Sequence, residues 1–341
     1  MVGRDSNRRR KAGRVPPVWF SLALAACATE PAREGRLAEG PPPLALEGSA
    51  YDAAARVKLP EGKPMEFAGL RHVYRLSGDI VTGGEPEGDR AFRQLADMGI
   101  KTILSVDGKV PDAAAAAKHG IRCVHVPIQY RGIAKDELLK LAKVFRELEA
   151  PIYTHCFHGE HRGPAAAAVG RLVRDGATRE QALAEMRQYG GTSWKYEGLY
   201  RAIAEQILPS AAETAAFRWD FPSAHRHADF RQAMVGIARS FDYLEEMARR
   251  GWAPDPGHPD IDAANESQKL AGLLADAEAL EEVRARPDDF RRRMSEGVEA
   301  AAHLRGVIAR ARAGEAPAAD AGTAFRRVET VCSACHANYR N

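Results

Sequence analysis

From residue 66 onward, short β-branched runs alternate with amphipathic stretches. His72-Val73-Tyr74-Arg75-Leu76 and Ile80-Val81-Thr82 predict a short strand pair at a sheet edge. Over 89–98, Phe92, Leu95 and Met98 recur at helical spacing and the run stops at Gly99, a C-terminal cap. Residues 101–106 and 121–127 read as strands, and 112–118 as an Ala-rich helix ended by Gly120. Over 136–149, Leu138, Leu139, Leu141, Ala142, Phe145 and Leu148 share one helical face. Residues 151–155 form a short buried strand, followed by a loop and an Ala-rich helix from about Pro164; Thr178 and Gln181 then offer a capping box. Strands alternating with helices predict an α/β domain, its mostly parallel sheet flanked by helices.

After Pro209 the pattern lengthens. From 223 to about 251, Phe230, Met234, Ile237, Phe241, Leu244 and Met247 fall at three- and four-residue spacing. Pro254, Pro256, Gly257 and Pro259 interrupt the chain, and helical patterns resume at about 261–285, 287–313 and 317–340. Four helices with short connections predict an all-α antiparallel four-helix bundle.

A basic stretch precedes an apolar run from Val15 to Ala26, too short to span a bilayer, which together read as an export signal. The net charge of +3 is concentrated there: Arg4, Arg8, Arg9, Arg10, Lys11 and Arg14 outweigh Asp5, and the rest of the chain is slightly acidic. Its basicity therefore gives no argument for a nucleic-acid partner. At 45% hydrophobic and 28% charged residues the chain belongs with folded proteins rather than disordered ones. The apolar run ends Leu24-Ala25-Ala26-Cys27, which resembles the lipobox of bacterial lipoproteins. That resemblance implies lipid on Cys27, contact with a membrane only through that anchor, and a periplasmic location. The expected organisation is a signal over 1–27, a Pro/Gly-rich tether over 28–64, the α/β domain over 65–212 and the bundle over 213–341.

Five cysteines are too few for a disulfide scaffold. Cys156 lies in His155-Cys156-Phe157-His158-Gly159-Glu160-His161-Arg162-Gly163-Pro164, a Cys-x₅-Arg spacing between a strand and a helix. Ligands of such sheets gather at strand carboxyl ends. A loop of this length can curl around one tetrahedral dianion with its backbone N–H groups inward, and Gly159 can supply a left-handed turn. The helix N-terminus favours both the anion and a thiolate, and the planar Arg162 fork can grip two phosphate oxygens.

The stretch resembles the signature loop of cysteine-dependent tyrosine and dual-specificity phosphatases, and Gly83-Gly84-Glu85-Pro86 and Gly99-Ile100-Lys101-Thr102-Ile103 are also similar, so that the likeness covers about 66–210. It implies a phosphatase in which Cys156 is the nucleophile of a cysteinyl-phosphate. Arg162 and the loop residues Phe157, His158, Gly159, Glu160 and His161 would bind phosphate, and His155 would tune the thiolate. The substrate would be a phosphorylated protein or a small phosphoester. Two positions depart from the family. Gly163 stands where a Ser or Thr hydroxyl assists the thiolate as leaving group, and no acidic residue occurs between 113 and 135, where the family takes its aspartate general acid. Asp136 is the nearest candidate and equally a helix N-cap; Asp107, Asp112 and Glu160 are alternatives. A rhodanese loop is typically shorter. A metal on His155, His158 and His161 would need three ligands from one loop around a glycine turn, so no metal is expected here.

Cys332-Ser333-Ala334-Cys335-His336 is the c-type haem attachment pattern, two thiols one helical turn apart and an adjacent imidazole for the iron. Its place near the end, followed by Tyr339-Arg340, resembles cytochrome c prime and its low-spin relatives. One covalent haem c follows, with Cys332, Cys335, His336 and Arg340 on the last helix and Arg231 on the first. One residue of register decides whether Val235 leaves the iron open to NO or CO, or Met234 ligates it. A redox partner or gas at the haem and a homodimer through the bundle are the corresponding partners. Cys123 remains, on a strand expected beside the one leading to Cys156, either a core residue or a disulfide partner of it. The alternative to a phosphatase is an electron-transfer or gas-binding cytochrome whose α/β domain only binds an anion or a phosphorylated partner.

Overall fold

The computed structural model describes residues 39–225, 229–254 and 261–339. Cys27 and Arg340 lie outside them. A six-stranded sheet in the order β1-β2-β3-β6-β4-β5 forms the centre of the first domain. Strands β1 (Met65–Phe67) and β2 (Leu70–Arg75) pair antiparallel, as do β2 and β3 (Ile80–Gly83), whereas β3, β6 (Ile152–His155), β4 (Thr102–Ser105) and β5 (Arg122–His125) are mutually parallel. The predicted strand pair is therefore not marginal: β3 pairs with β6 inside the sheet, and the edge is taken by β1. Every residue of β3, β4 and β6 is buried, as a sheet covered on both faces requires.

Side chains alternate between two cores. Val81, Ile103, Cys123 and Tyr153 face α2 (Gly88–Asp97) and α3 (Ala113–Lys118). Ile80, Leu104, Val124 and Ile152 face the opposite side, packed with α4 (Lys135–Glu147), α5 (Arg162–Val173), α6 (Arg179–Gln188) and α7 (Glu197–Glu205). The register places Gly83, His155, Ser105 and His125 side by side at the strand carboxyl ends.

The expected tether is a docked strap from residue 41 on. Glu197 accepts hydrogen bonds from Ser49 Oγ (2.9 Å) and the Ala50 amide (2.7 Å), at the start of α1 (Ala50–Ala53). Buried Arg179 donates to the Pro41 carbonyl at 2.8 Å. Proline richness removes donors but leaves carbonyls, and a buried guanidinium uses them. At the other end, α8 (Ala211–Ala216) receives the Lys143 ammonium on the Thr214 carbonyl at 2.8 Å, and Trp219 and Phe221 pack on the same core, so the α/β unit runs past residue 212.

The second domain consists of α9 (Phe230–Arg249), α10 (Ala263–Glu278), the single turn α11 (Glu281–Arg284), α12 (Asp288–Arg312) and α13 (Ala318–Tyr339). Helix α9 begins later than its periodicity suggested, because Asp229 caps it and the preceding segment pairs with β5: the His225 amide donates to His125 Nδ1 at 2.9 Å. Leu244, Leu270, Leu274, Phe290, Met294, Leu304, Phe325 and Val328 form the bundle core. Among the described residues no helix is long and apolar enough to cross a membrane.

Candidate functional site

Strand β6 delivers Cys156 directly into the turn that starts α5, and the side chain is only 3% exposed. The loop is clamped from the β3 side. The Glu85 amide donates to the Phe157 carbonyl at 3.0 Å, and the Tyr153 hydroxyl donates to the Gly84 carbonyl at 2.6 Å. Gly159 sits at φ +86°, and a Cβ there would come within 2.3 Å of Gly83 backbone carbon. The left-handed turn expected of it is thus enforced twice, by conformation and by space. At Gly163 a Cβ would lie 3.2 Å from the Cys156 nitrogen and 3.4 Å from Thr82 Oγ1, a buried hydroxyl with no hydrogen-bond partner.

Arg162 is the first residue of α5 and is buried. Its guanidinium donates to Asp107 and to the Tyr130 hydroxyl (2.9 Å), lies 4.2 Å from the centre of the Tyr130 ring, and keeps Nε without a partner. Burial opposes ionisation of Asp107, but Arg162 and Lys269 outweigh it and hold the carboxyl well below the usual range. Asp107 is accordingly a carboxylate that orients Arg162, not a proton donor. Asp136 is exposed and paired with Lys140 at 3.2 Å, at the rim of the site. It is not the helix cap either: Ala134 occupies that position, and Glu137 folds back to its amide at 2.7 Å. Asp112 caps α3 through the Ala115 amide at 2.9 Å.

His155 is buried, stacked on Tyr153 at 6.0 Å. Burial, against the pull of Asp107, pushes it down to about 4, so it is a neutral ring beside the loop. His161 lies against Tyr196 at 4.3 Å. Glu160 accepts the Thr192 hydroxyl on its backbone carbonyl at 2.7 Å. His158 faces out of the loop toward the second domain, where Asp262 stands 3.4 Å from its Nε2. Cys123 is a free buried thiol pushed up to about 12 by burial, on β5. Strand β4 separates it from β6, so the expected adjacency fails; two strand spacings, about 10 Å, exceed the reach of a disulfide.

The bundle completes the walls. Lys109 donates to Gln268 at 3.2 Å while pairing with Glu85 at 2.6 Å, and Tyr130 packs against both hydrophobic cores. Asn265, Glu266 and Ser267, consecutive and polar, are all buried in the first turns of α10. Glu266 pairs with Lys269 at 3.0 Å and lies within electrostatic reach of Arg162 and Asp107. A cavity of about 260 Å³ opens beside Arg162, between Gln129 and Tyr130 on one side and Tyr243 and Lys269 on the other. None of this was visible from spacing; the one available signal was a polar triplet interrupting the apolar face of a helix.

On α13, Cys332 and Cys335 are free thiols, half-buried one turn apart, with Cys332 packed on the bundle core and His336 exposed beside them. Helix α12 faces them: Tyr339 donates to Asp289 at 3.0 Å and touches Phe290 edge-on at 5.0 Å. Two thiols and an imidazole at this pitch fit the vinyl groups and iron of one haem. Met234 packs against the bundle core, whereas Val235 is 49% exposed and Arg231 also faces out. Of the two register alternatives only Met234 points inward.

Residues 259–340 match the family model of cytochrome C'. The chain joins a dual-specificity-phosphatase-like α/β region to a cytochrome C'-like helical module. That family carries covalently bound haem. The curated dual specificity protein phosphatase TpbA of Pseudomonas aeruginosa is 27% identical over 179 residues, which are 52% of this chain and 75% of that protein. Among solved structures, a complex of P. aeruginosa TpbA with phosphotyrosine is 24% identical, covering 42% of this chain and 89% of that one with a TM-score of 0.33. The structure of a DUF442 phosphatase from Shewanella putrefaciens is 14% identical, with 40% of this chain and 93% of that one covered and a TM-score of 0.33.

Proposed function

We propose that the protein is an exported phosphatase that hydrolyses phosphomonoesters through a cysteinyl-phosphate on Cys156, with a haem-carrying module in the same chain that senses redox state or a bound NO or CO. The observation that carries the reading is the Asp107–Arg162–loop arrangement: a guanidinium locked beside a nucleophile in a turn that only Gly159 permits. The Cys156 thiolate would attack phosphorus while the phosphate oxygens rest on loop amides and Arg162. The P–O bond breaks as the S–P bond forms, and water then releases inorganic phosphate and restores the thiolate. Haem held by Cys332, Cys335 and His336 would supply a one-electron couple and an iron ligand site. The lipobox-like Ala25-Ala26-Cys27 supports a periplasmic location with a lipid anchor. Phosphorylated protein is the favoured substrate class, by analogy with the TpbA relative.

The haem-loaded full chain should hydrolyse p-nitrophenyl phosphate, and Cys156→Ser should remove that activity; turnover no greater than the Cys156→Ser background would sink the reading. Gly163, which lacks the family hydroxyl, favours a second reading, a non-catalytic phosphopartner-binding module beside a cytochrome. It predicts phosphate binding, seen by calorimetry, with no turnover.

A further inference from the structure

The phosphatase reading needs a proton donor, and four carboxyls of the α/β domain are engaged elsewhere. Asp136 is exposed and tied to Lys140, Asp107 is ionised by Arg162, Asp112 is spent on a helix cap, and Glu85 is bound to Lys109. Among the described residues, Glu266 is the carboxyl within electrostatic reach of Arg162 that keeps a buried oxygen without a hydrogen-bond partner. Glu266, on the first turns of α10, has no solvent exposure; one oxygen accepts from Lys269 and the other, Oε2, is buried without a hydrogen-bond partner. Arg162 counts Asp107, Tyr130, Cys156 and Glu266 as its charged or ionisable neighbours. Lys269, which holds Glu266, also lines the cavity beside Arg162, where the leaving group of a substrate would lie.

We propose that Glu266, a residue of the haem-binding module, is the general acid and base of the phosphatase reaction. The inference rests on the phosphatase reading above. In the first step the Cys156 thiolate forms the S–P bond, the ester P–O bond breaks, and the Glu266 proton passes to the departing oxygen. In the second, the Glu266 carboxylate takes a proton from water as the water oxygen attacks phosphorus, the S–P bond breaks and the thiolate returns. Glu266 is suited to the first role because burial, reinforced by Asp107 and only partly opposed by Lys269 and Arg162, raises its pKa and favours the protonated form. The active site is then shared between two domains, and is complete only while they are docked.

Leaving-group dependence tests it. A general acid matters for phenyl phosphate, whose leaving group needs the proton, and hardly for 2,4-dinitrophenyl phosphate, whose leaving group does not. In the haem-loaded full chain, Glu266→Gln should lower kcat for phenyl phosphate by about 10²-fold or more and leave the dinitrophenyl ester nearly unchanged. An unaltered haem spectrum and unaltered alkylation of Cys156 by iodoacetamide would confirm an intact variant. Equal losses on both esters would overturn the assignment in favour of a structural role, and a gain in activity would overturn it in favour of a lid that blocks the site. If wild type itself fails to exceed Cys156→Ser on the dinitrophenyl ester, the phosphatase reading and the assignment fall together.

Discussion

His158 of the anion loop and Asp262 of the helical module face each other at 3.4 Å across the seam between the two domains. The pair ties the residue two places after the nucleophile to the N-cap of α10, so a change at one domain is felt at the other. Burial opposes the Asp262 charge, but His158 and the Asn265 amide outweigh it and lower its pKa. Its contribution is therefore present above the ordinary aspartate pKa and is lost as pH falls through the depressed one. At neutral pH, Asp262→Asn should speed iodoacetamide alkylation of Cys156 roughly fivefold, the factor set by about 1 kcal/mol of seam stability. An unchanged rate would show that the pair does not hold the seam.

Asp107→Asn leaves a buried guanidinium without its anion. Breaking one side of a buried pair costs about 3–5 kcal/mol, so the variant should unfold at distinctly lower urea and lose hydrolysis through a disordered Arg162. The Asp107 pKa is depressed, so the difference between wild type and variant should be constant above about pH 4 and shrink below it. Urea titrations at pH 7 and pH 3 measure both.

His155 gives the opposite sign to habit. Its folded pKa of about 4 lies below the unfolded value near 6.5, so the unfolded chain binds more protons between those limits. Stability should rise with pH from about 4 to 6.5 by about 3 kcal/mol from this ring alone, then level off. His155→Gln should flatten that rise in urea titrations, and the wild-type ring should show no NMR titration between pH 5.5 and 8.

Met234 and Val235 separate cleanly. Met234→Ala should change the ferrous visible spectrum of the haem-loaded protein, while Val235→Ala, altering an exposed side chain, should leave it as it is. Cys332→Ser should reduce covalently held haem, read from the pyridine haemochrome after acid–acetone extraction.

The Cys-x₅-Arg loop and the Cys-x-x-Cys-His turn were legible because each is contiguous: the residues that act together are neighbours in the chain. The helices and the parallel sheet were legible for the same reason, through periodicity. Asp107 was only one of several open carboxylates because its partner is 55 residues away, and nothing local marks such a pairing. The strap was misread as a tether because proline richness excludes regular structure without excluding docking; Arg179, far along the chain, decides it. Asp136 was misassigned by one residue of helix register, since Glu137 reaches the same orphan amide from the third helical position.

The triplet Asn265-Glu266-Ser267 has a further consequence. Because the first turns of α10 bury three consecutive polar side chains, with Glu266 within electrostatic reach of Arg162, parting the two halves there would wet polar groups rather than leucines. Such a joint has the composition of a transient contact rather than an obligate one. A joint of that composition leaves little sticky surface where it is parted.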